Sequence, residues 1–215
     1  MILKIFVIIL SCLFAYILGS FNFAIFITKK FYNKNIKKLG SKNAGMTNVL
    51  RNFGKKPAIL TLAGDMLKGF ISILICNIMC FKLFSTEDLI IFRYIVLIFA
   101  LIGHIFPIFY NFKGGKGILV VAGSLILVNL KVFLALLAVF LIVFKISKIV
   151  SFSSLSCAFI LPISTFLMNY FNHQLSTKIT IITTIITTVV SIIIIFAHKE
   201  NIIRLLEKKE PKIKD

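Results

Sequence analysis

Acidic side chains are scarce in this sequence: 7 Asp+Glu stand against 25 Lys+Arg, and charged residues of both signs make up only 15% of its 215 positions. An ordinary soluble domain carries about 25% charged residues. With 59% hydrophobic residues and a mean hydropathy of +1.03, too little polar material remains to coat a water-exposed surface. A soluble enzyme, a disordered chain and a β-barrel are excluded on that ground. Long polar loops are also missing, so the formal charge of +18 has no solvated domain on which to build a nucleic-acid surface. It fits cytoplasmic loops lying beside anionic membrane lipids. Metal ligands are equally thin. Cys12, Cys76, Cys80 and Cys157 all fall inside apolar runs, and no nearby His or Cys completes a zinc site around the Cys76/Cys80 turn, so the four read as packing residues. The shortage of acids leaves a Ser–His–Asp triad without its third member.

What the chain does have is apolar runs of membrane-spanning length from end to end. No A-x-A-like cleavage site interrupts the first, which reads as a retained span. The spans are placed at 2–28, 57–81, 89–112, 118–130, 132–144, 149–171 and 179–197. The loop between the first two carries nine basic residues (Lys29, Lys30, Lys34, Lys37, Lys38, Lys42, Arg51, Lys55, Lys56) and no acid. By the positive-inside rule this loop and the basic tail after His198 are cytoplasmic. That requires 118–144 to cross twice, as two short or tilted helices broken near Asn129. The expectation is therefore a single all-α domain over 1–215, a polytopic membrane protein of about seven helices with its N-terminus outside and its C-terminus cytoplasmic. No internal repeat points to an inverted-repeat transporter.

The unusual polar residues gather at the expected cytoplasmic ends. One segment runs from Gly40 to Arg51 and holds Ser41, Asn43, Thr47 and Asn48, hydroxyls and amides around a guanidinium that suit an oxygen-rich anion. A second runs from Gly103 and His104 to Lys113-Gly114-Gly115-Lys116-Gly117. Its glycines allow successive backbone N–H groups to face one anion, the lysines close round it, and the apolar run that follows would add a helix N-terminus. Tyr110 and Gly117 break the Walker A pattern, so the nucleotide signature is absent. A third segment contains Ser151 and Ser154, and a fourth His198, Asn201 and Arg204. His104 and His198, both at inner helix ends, are candidates for a general base or a donor to phosphate. His173 falls in an outer loop and reads as solvated. Asp65 and Lys68 lie three apart on one helical face within a span, where ionisable groups are costly, and are expected to pair or to line the polar cleft. Arg93 is expected to snorkel to the outer interface.

These segments resemble the bacterial acyl-phosphate:glycerol-3-phosphate acyltransferases. Gly40–Arg51 is similar to that family's GSGNxGATNxxR motif, and Gly103–Gly117 to its GHxFPxxxxFKGGKGVAT motif. His198, Asn201, Ile202, Arg204, Leu205 and Glu210 are similar to its tail motif RHxxNIxRLxxGxE, and Ser151 and Ser154 to its serine-containing region. Gly19-Ser20 and the Asp65…Lys68-Gly69 turn also look like family features. Lys42 and Met46 stand where the motif has small residues, Ile118-Leu119-Val120 where it has VAT, Ala197 where it has arginine and Lys208 where it has glycine.

The resemblance implies transfer of a fatty acyl group from acyl phosphate to the 1-hydroxyl of sn-glycerol 3-phosphate, at the cytoplasmic face of the bacterial inner membrane, with no metal or organic cofactor. It assigns Lys113, Gly114, Gly115, Lys116 and Gly117 to a phosphate cradle, and Ser41, Asn43, Thr47, Asn48 and Arg51 to glycerol 3-phosphate. Ser151 and Ser154 join the substrate-binding set, Asn201 and Arg204 close the site, and His104, His198 or a substrate phosphate takes the hydroxyl proton. A transporter of organic phosphate esters is the alternative that the same basic residues leave open, and the oligomeric state is likewise open.

Overall fold

The computed structural model describes residues 2–172 and 175–213; His173 therefore lies outside the described residues. Every regular element among them is helical, in two compact units, Met1–Val128 and Asn129–Asp215. Among the described residues, six helical stretches are long and apolar enough to cross a membrane: Ile2–Tyr32, Lys55–Cys80, Thr86–Tyr110, Leu130–Ser147, Val150–Tyr170 and Thr177–Ala197. Helices predominate because a lipid-embedded backbone must satisfy its own polar groups.

The first unit begins with α1 (Ile2–Ser20) and α2 (Phe23–Tyr32). The single span expected over 2–28 is broken at Phe21-Asn22. Asn22 adopts extended backbone and its side chain accepts from the Ile25 N–H, capping α2 and competing with continuation of α1. A 3₁₀ turn (Ile36–Lys38) and the short α3 (Met46–Phe53) follow. Ala24, Ile25, Ile36, Ala44, Val49 and Ala58 form a small core under them, with Met46 packed against it, which gives the larger side chain at that motif position a place to go.

Two long helices, α4 (Lys55–Cys80) and α5 (Thr86–Ile105), and the 11-residue α6 (Ile118–Val128) complete the unit. Close crossings fix their positions. A Cβ on Gly19 would strike the Ala100 carbonyl and one on Gly103 the Tyr16 carbonyl, so α1 and α5 touch backbone to backbone. Gly69 against Val120 and Gly123 against Met66 do the same for α4 and α6. Without a hydrophobic drive between helices in lipid, such small-residue contacts supply the packing. Arg93 does not simply snorkel: its Nε donates to Asn77 Oδ1 at 2.6 Å, linking α5 to α4. The four cysteines are free and buried, as expected of packing residues.

The second unit holds α7 (Leu130–Ser147), α8 (Val150–Tyr170), α9 (Thr177–Ala197) and α10 (Lys199–Leu206). The expected break near Asn129 is present. Asn129 is extended, its side chain caps α7 through the Val132 N–H, and its Nδ2 donates to Asn169 Oδ1 at 3.0 Å. Asn169 passes the connection on to Thr183 Oγ1 at 2.9 Å. Pro162 lies inside α8 and cannot donate to the carbonyl four residues back. Ser191 Oγ fills that gap, donating to the Ala158 carbonyl at 2.6 Å and tying α9 to α8.

Candidate functional site

In the first unit the site grows from the break between α1 and α2. Interrupting α1 releases the Gly19 and Phe21 carbonyls, which cannot be left unpaired at membrane depth. Lys68, reaching from α4, donates to both, at 2.9 and 2.8 Å. Its Nζ also lies 2.7 Å from His104 Nδ1 and 3.1 Å from Asp65 Oδ1. An ammonium has three protons, and the two carbonyls and the imidazole use them all. Asp65 Oδ1 accordingly has no hydrogen bond of its own and supplies charge only. The Asp65 carboxyl also takes a bond from the Phe23 backbone N–H, at the positive end of α2. The expected pairing of Asp65 and Lys68 is present, and Lys68 also reaches His104.

His104 carries this network to the glycine-rich loop. The loop folds against the end of α5 through Gly114 N–H to the Ile105 carbonyl at 3.0 Å and Gly115 N–H to the His104 carbonyl at 3.1 Å. A Cβ on Gly115 would meet His104 Nε2 and the Ala44 carbonyl. The Gly114 and Gly115 amides are spent on α5 carbonyls that would otherwise be orphaned, and glycine at 115 is required by close approach. Gly117 is the loop's left-handed residue, at φ +82°, and its N–H and those of the first turn of α6 follow directly. Lys116, half-buried, stands at that turn, while the exposed Lys113 has its carbonyl held by Lys37 Nζ at 3.1 Å. Tyr16 Oη donates to the Phe106 carbonyl and anchors the start of the loop to α1.

The Gly40–Arg51 segment is organised by Asn48, which is buried. Its Oδ1 accepts from the Ser41 N–H at 3.2 Å, and its Nδ2 faces the carbonyls of Ile36, Leu39 and Asn43 at 3.0–3.2 Å. Asn48 therefore shapes the loop: its polar atoms engage these backbone groups, and Oδ1 also accepts from Asn52 Nδ2 at 3.0 Å. Asn22 ties the same loop to α2 by donating to the Ala44 carbonyl at 3.2 Å. The Ser41 and Thr47 hydroxyls make no hydrogen bond among the described residues, and both residues are half-buried. Asn43 is half-buried and Arg51 exposed. Lys42 sits at φ +58°, a left-handed position that explains the glycine of the motif it otherwise follows.

In the second unit the expected site residues gather on an acid that sequence reasoning had placed only within a motif. Glu210 Oε1 accepts from Ser151 Oγ at 2.8 Å and Asn201 Nδ2 at 2.6 Å, and Oε2 accepts from Arg204 Nε at 2.6 Å. Burial pushes the Glu210 carboxyl up, but the three donors and the Arg204 charge outweigh it and hold the group below its ordinary value. Ser151, Asn201 and Arg204 are thus brought together on the tail carboxylate. The motif spacing was the signal that could have found Glu210. Ser154 is buried in α8 one turn beyond Ser151. His198, also buried, has Nδ1 2.8 Å from the Ile194 carbonyl. A carbonyl only accepts, so Nδ1 carries a proton. Among the described residues no cluster of His, Cys, Asp and Glu suited to a metal ion occurs.

Residues 9–208 match the family model for Glycerol-3-phosphate acyltransferase. The chain belongs to this family. It is 35% identical over 201 residues to the glycerol-3-phosphate acyltransferase of Ruthia magnifica subsp. Calyptogena magnifica, covering 94% of each chain. It is 36% identical over 211 residues to that of Mycoplasmopsis pulmonis (strain UAB CTIP), covering 94% of this chain and 92% of the other. The structure is similar to crystal structures of PlsY, an integral membrane glycerol 3-phosphate acyltransferase. Its glycerol 3-phosphate form matches with a TM-score of 0.78 and 32% identity over 96% of each chain. Its lysophosphatidic acid form matches with a TM-score of 0.77 over 96% of this chain and 95% of that one. As a glycerol-3-phosphate acyltransferase family member, the protein is a membrane-embedded acyltransferase, and the transporter alternative is not favoured.

Proposed function

We propose that the protein transfers a fatty acyl group from acyl phosphate to the 1-hydroxyl of sn-glycerol 3-phosphate, releasing lysophosphatidate and inorganic phosphate, at the cytoplasmic face of the bacterial inner membrane. The observation that carries the reading is the loop Lys113–Gly117, pinned to the end of α5 by the Gly114 and Gly115 N–H groups and delivering Lys116 and the positive end of α6 to one place. An acid-poor basic surface of this kind suits two phosphate-bearing substrates, and both relatives and solved neighbours carry glycerol 3-phosphate in their names.

Acyl phosphate is already activated, so the reaction needs position and charge more than covalent help. The glycerol hydroxyl oxygen attacks the acyl carbon, the new ester C–O bond forms, and the bond from that carbon to the phosphate oxygen breaks. Lys116 and the α6 N-terminus would hold one phosphate, and Ser41, Asn43, Thr47 and Arg51 would orient the other. Holding two reactants correctly contributes roughly 7–11 kcal/mol to lowering such a barrier. His198 or a substrate phosphate would accept the hydroxyl proton, whereas His104 has Nδ1 occupied by Lys68 and acts through the loop it supports.

The test is a purified-protein assay with palmitoyl phosphate and glycerol 3-phosphate, following inorganic phosphate and lysophosphatidate in equal amounts. Neither histidine begins an HxxxxD acyltransferase motif, since His104 is followed at the fifth position by Phe109 and His198 by Ile203. Acyl-CoA should therefore give little product; turnover comparable to that with palmitoyl phosphate would overturn the donor assignment.

A further inference from the structure

Lys68 is 1% exposed, stands 36 residues from His104 in sequence, and contacts three separate parts of the first unit: the broken end of α1, Asp65 on its own helix, and His104 on α5. A lysine used merely to balance Asp65 would not need to face the imidazole, and one used merely to cap carbonyls would not need to stand 2.7 Å from Nδ1. Because Nζ also donates to two carbonyls and faces a carboxylate, it is a donor toward His104 as well. Nδ1 is then the acceptor, and the ring proton is fixed on Nε2. That nitrogen is the one lying against Gly115, whose N–H is bonded to the His104 carbonyl.

We propose that Lys68 is a positioning residue for the acyl transfer: it fixes the His104 tautomer and ring orientation, and through the ring it sets where the Gly114–Gly117 loop presents Lys116 to a phosphate. The inference rests on the reading of that loop as a phosphate site. Lys68 touches no substrate in this scheme. Its effect reaches the reaction through His104 Nδ1, then the face of the ring against Gly115, then the loop. The α1–α2 break belongs to the same device, because it releases the Gly19 and Phe21 carbonyls that direct two of the ammonium protons and leave the third for the imidazole.

The decisive measurements are the nitrogen NMR shifts of the His104 ring, assigned by the signals lost in His104→Gln, and kinetics on the same preparations. Wild type should show the Nε2–H form. Lys68→Met alone strands Asp65, so the test variant is Asp65→Asn/Lys68→Met, which removes both charges together. In it the ring should become a tautomer mixture. KM for one phosphate substrate should rise about tenfold, as expected for losing a charge-assisted hydrogen bond that acts through a neighbour, with kcat changed less. Added to His104→Gln, the pair of substitutions should cost little more. An Nδ1–H ring in wild type, an unchanged tautomer in the variant, or losses that add in the combined variant would each overturn the proposal. The wild-type ring signal decides even if the variant does not insert. Failure of the functional reading is seen separately, as a wild-type protein that does not turn over palmitoyl phosphate, because the tautomer is read without substrate.

Discussion

Arg204 Nε donates to Glu210 Oε2 at 2.6 Å, and this pair fastens the chain after α10 back onto the helix it has just left. The same carboxylate holds Ser151 at the start of α8, so one acid joins three segments of the second unit.

Glu210→Gln should keep the shape of the side chain and lose the charge that Arg204 requires, costing about 1–3 kcal/mol as expected for a buried partner left poorly satisfied. The wild-type carboxyl sits below its ordinary value of 4.5. Its contribution is therefore fully present above that pH and is lost as the pH falls through the lower folded value. Thermal midpoints in one detergent should show a gap between wild type and Glu210→Gln that is constant at neutral pH and closes on acidification. A gap that persists in acid would show that the charge is not its origin.

The loop makes a graded prediction. Lys116→Ala should lower kcat/KM by roughly 10- to 150-fold, the loss of a charge-assisted hydrogen bond to phosphate. Gly115→Ala should be at least as harmful, because the new methyl group meets the His104 ring and the Ala44 carbonyl. Lys34→Ala, in the basic loop but outside the motifs, should change kcat/KM little. Equal behaviour of Lys116→Ala and Lys34→Ala in matched lipid would reduce the loop to an ordinary basic turn.

Two departures from the family motifs occupy left-handed backbone, Lys42 at φ +58° and Lys208 at φ +56°. Lys42→Gly and Lys208→Gly should each stabilise the protein by about 0.5–1 kcal/mol, the relief of the Cβ clash less the greater freedom of glycine in the unfolded chain. Denaturation midpoints measured for each variant would check this, and a fall in either would mean that the lysine side chain contributes more than the backbone strain costs.

Orientation is testable by labelling. In a background without the four native cysteines, Lys37→Cys, Lys116→Cys and Lys209→Cys should be protected from an impermeant thiol reagent added outside intact cells, and Glu87→Cys should react. Reaction at position 209 from outside would place the C-terminus there and reverse the positive-inside reading.

The sequence by itself determined that this is an all-helical membrane protein, where its apolar runs lie, that the long run around Asn129 is broken, and which family its motifs belong to. These are properties of composition, period and residue order, and Asn129 is legible because a polar amide inside an apolar run is costly unless it ends or begins a helix. Tertiary structure alone decided what each polar residue is used for. Asn48, Gly114 and Gly115 carry the right chemistry for an anion, and the fold gives them neighbouring backbone groups to hold, with Asn52 as a further partner of Asn48. Ser151, Asn201 and Arg204 meet on the Glu210 carboxylate, which only the folded tail brings to them. The break at Phe21-Asn22 and the three-way reach of Lys68 were likewise out of view. A buried donor takes whichever acceptors the packed helices leave nearest, and Gly19, Phe21 and His104 come within reach of one ammonium only when α1, α4 and α5 are packed together.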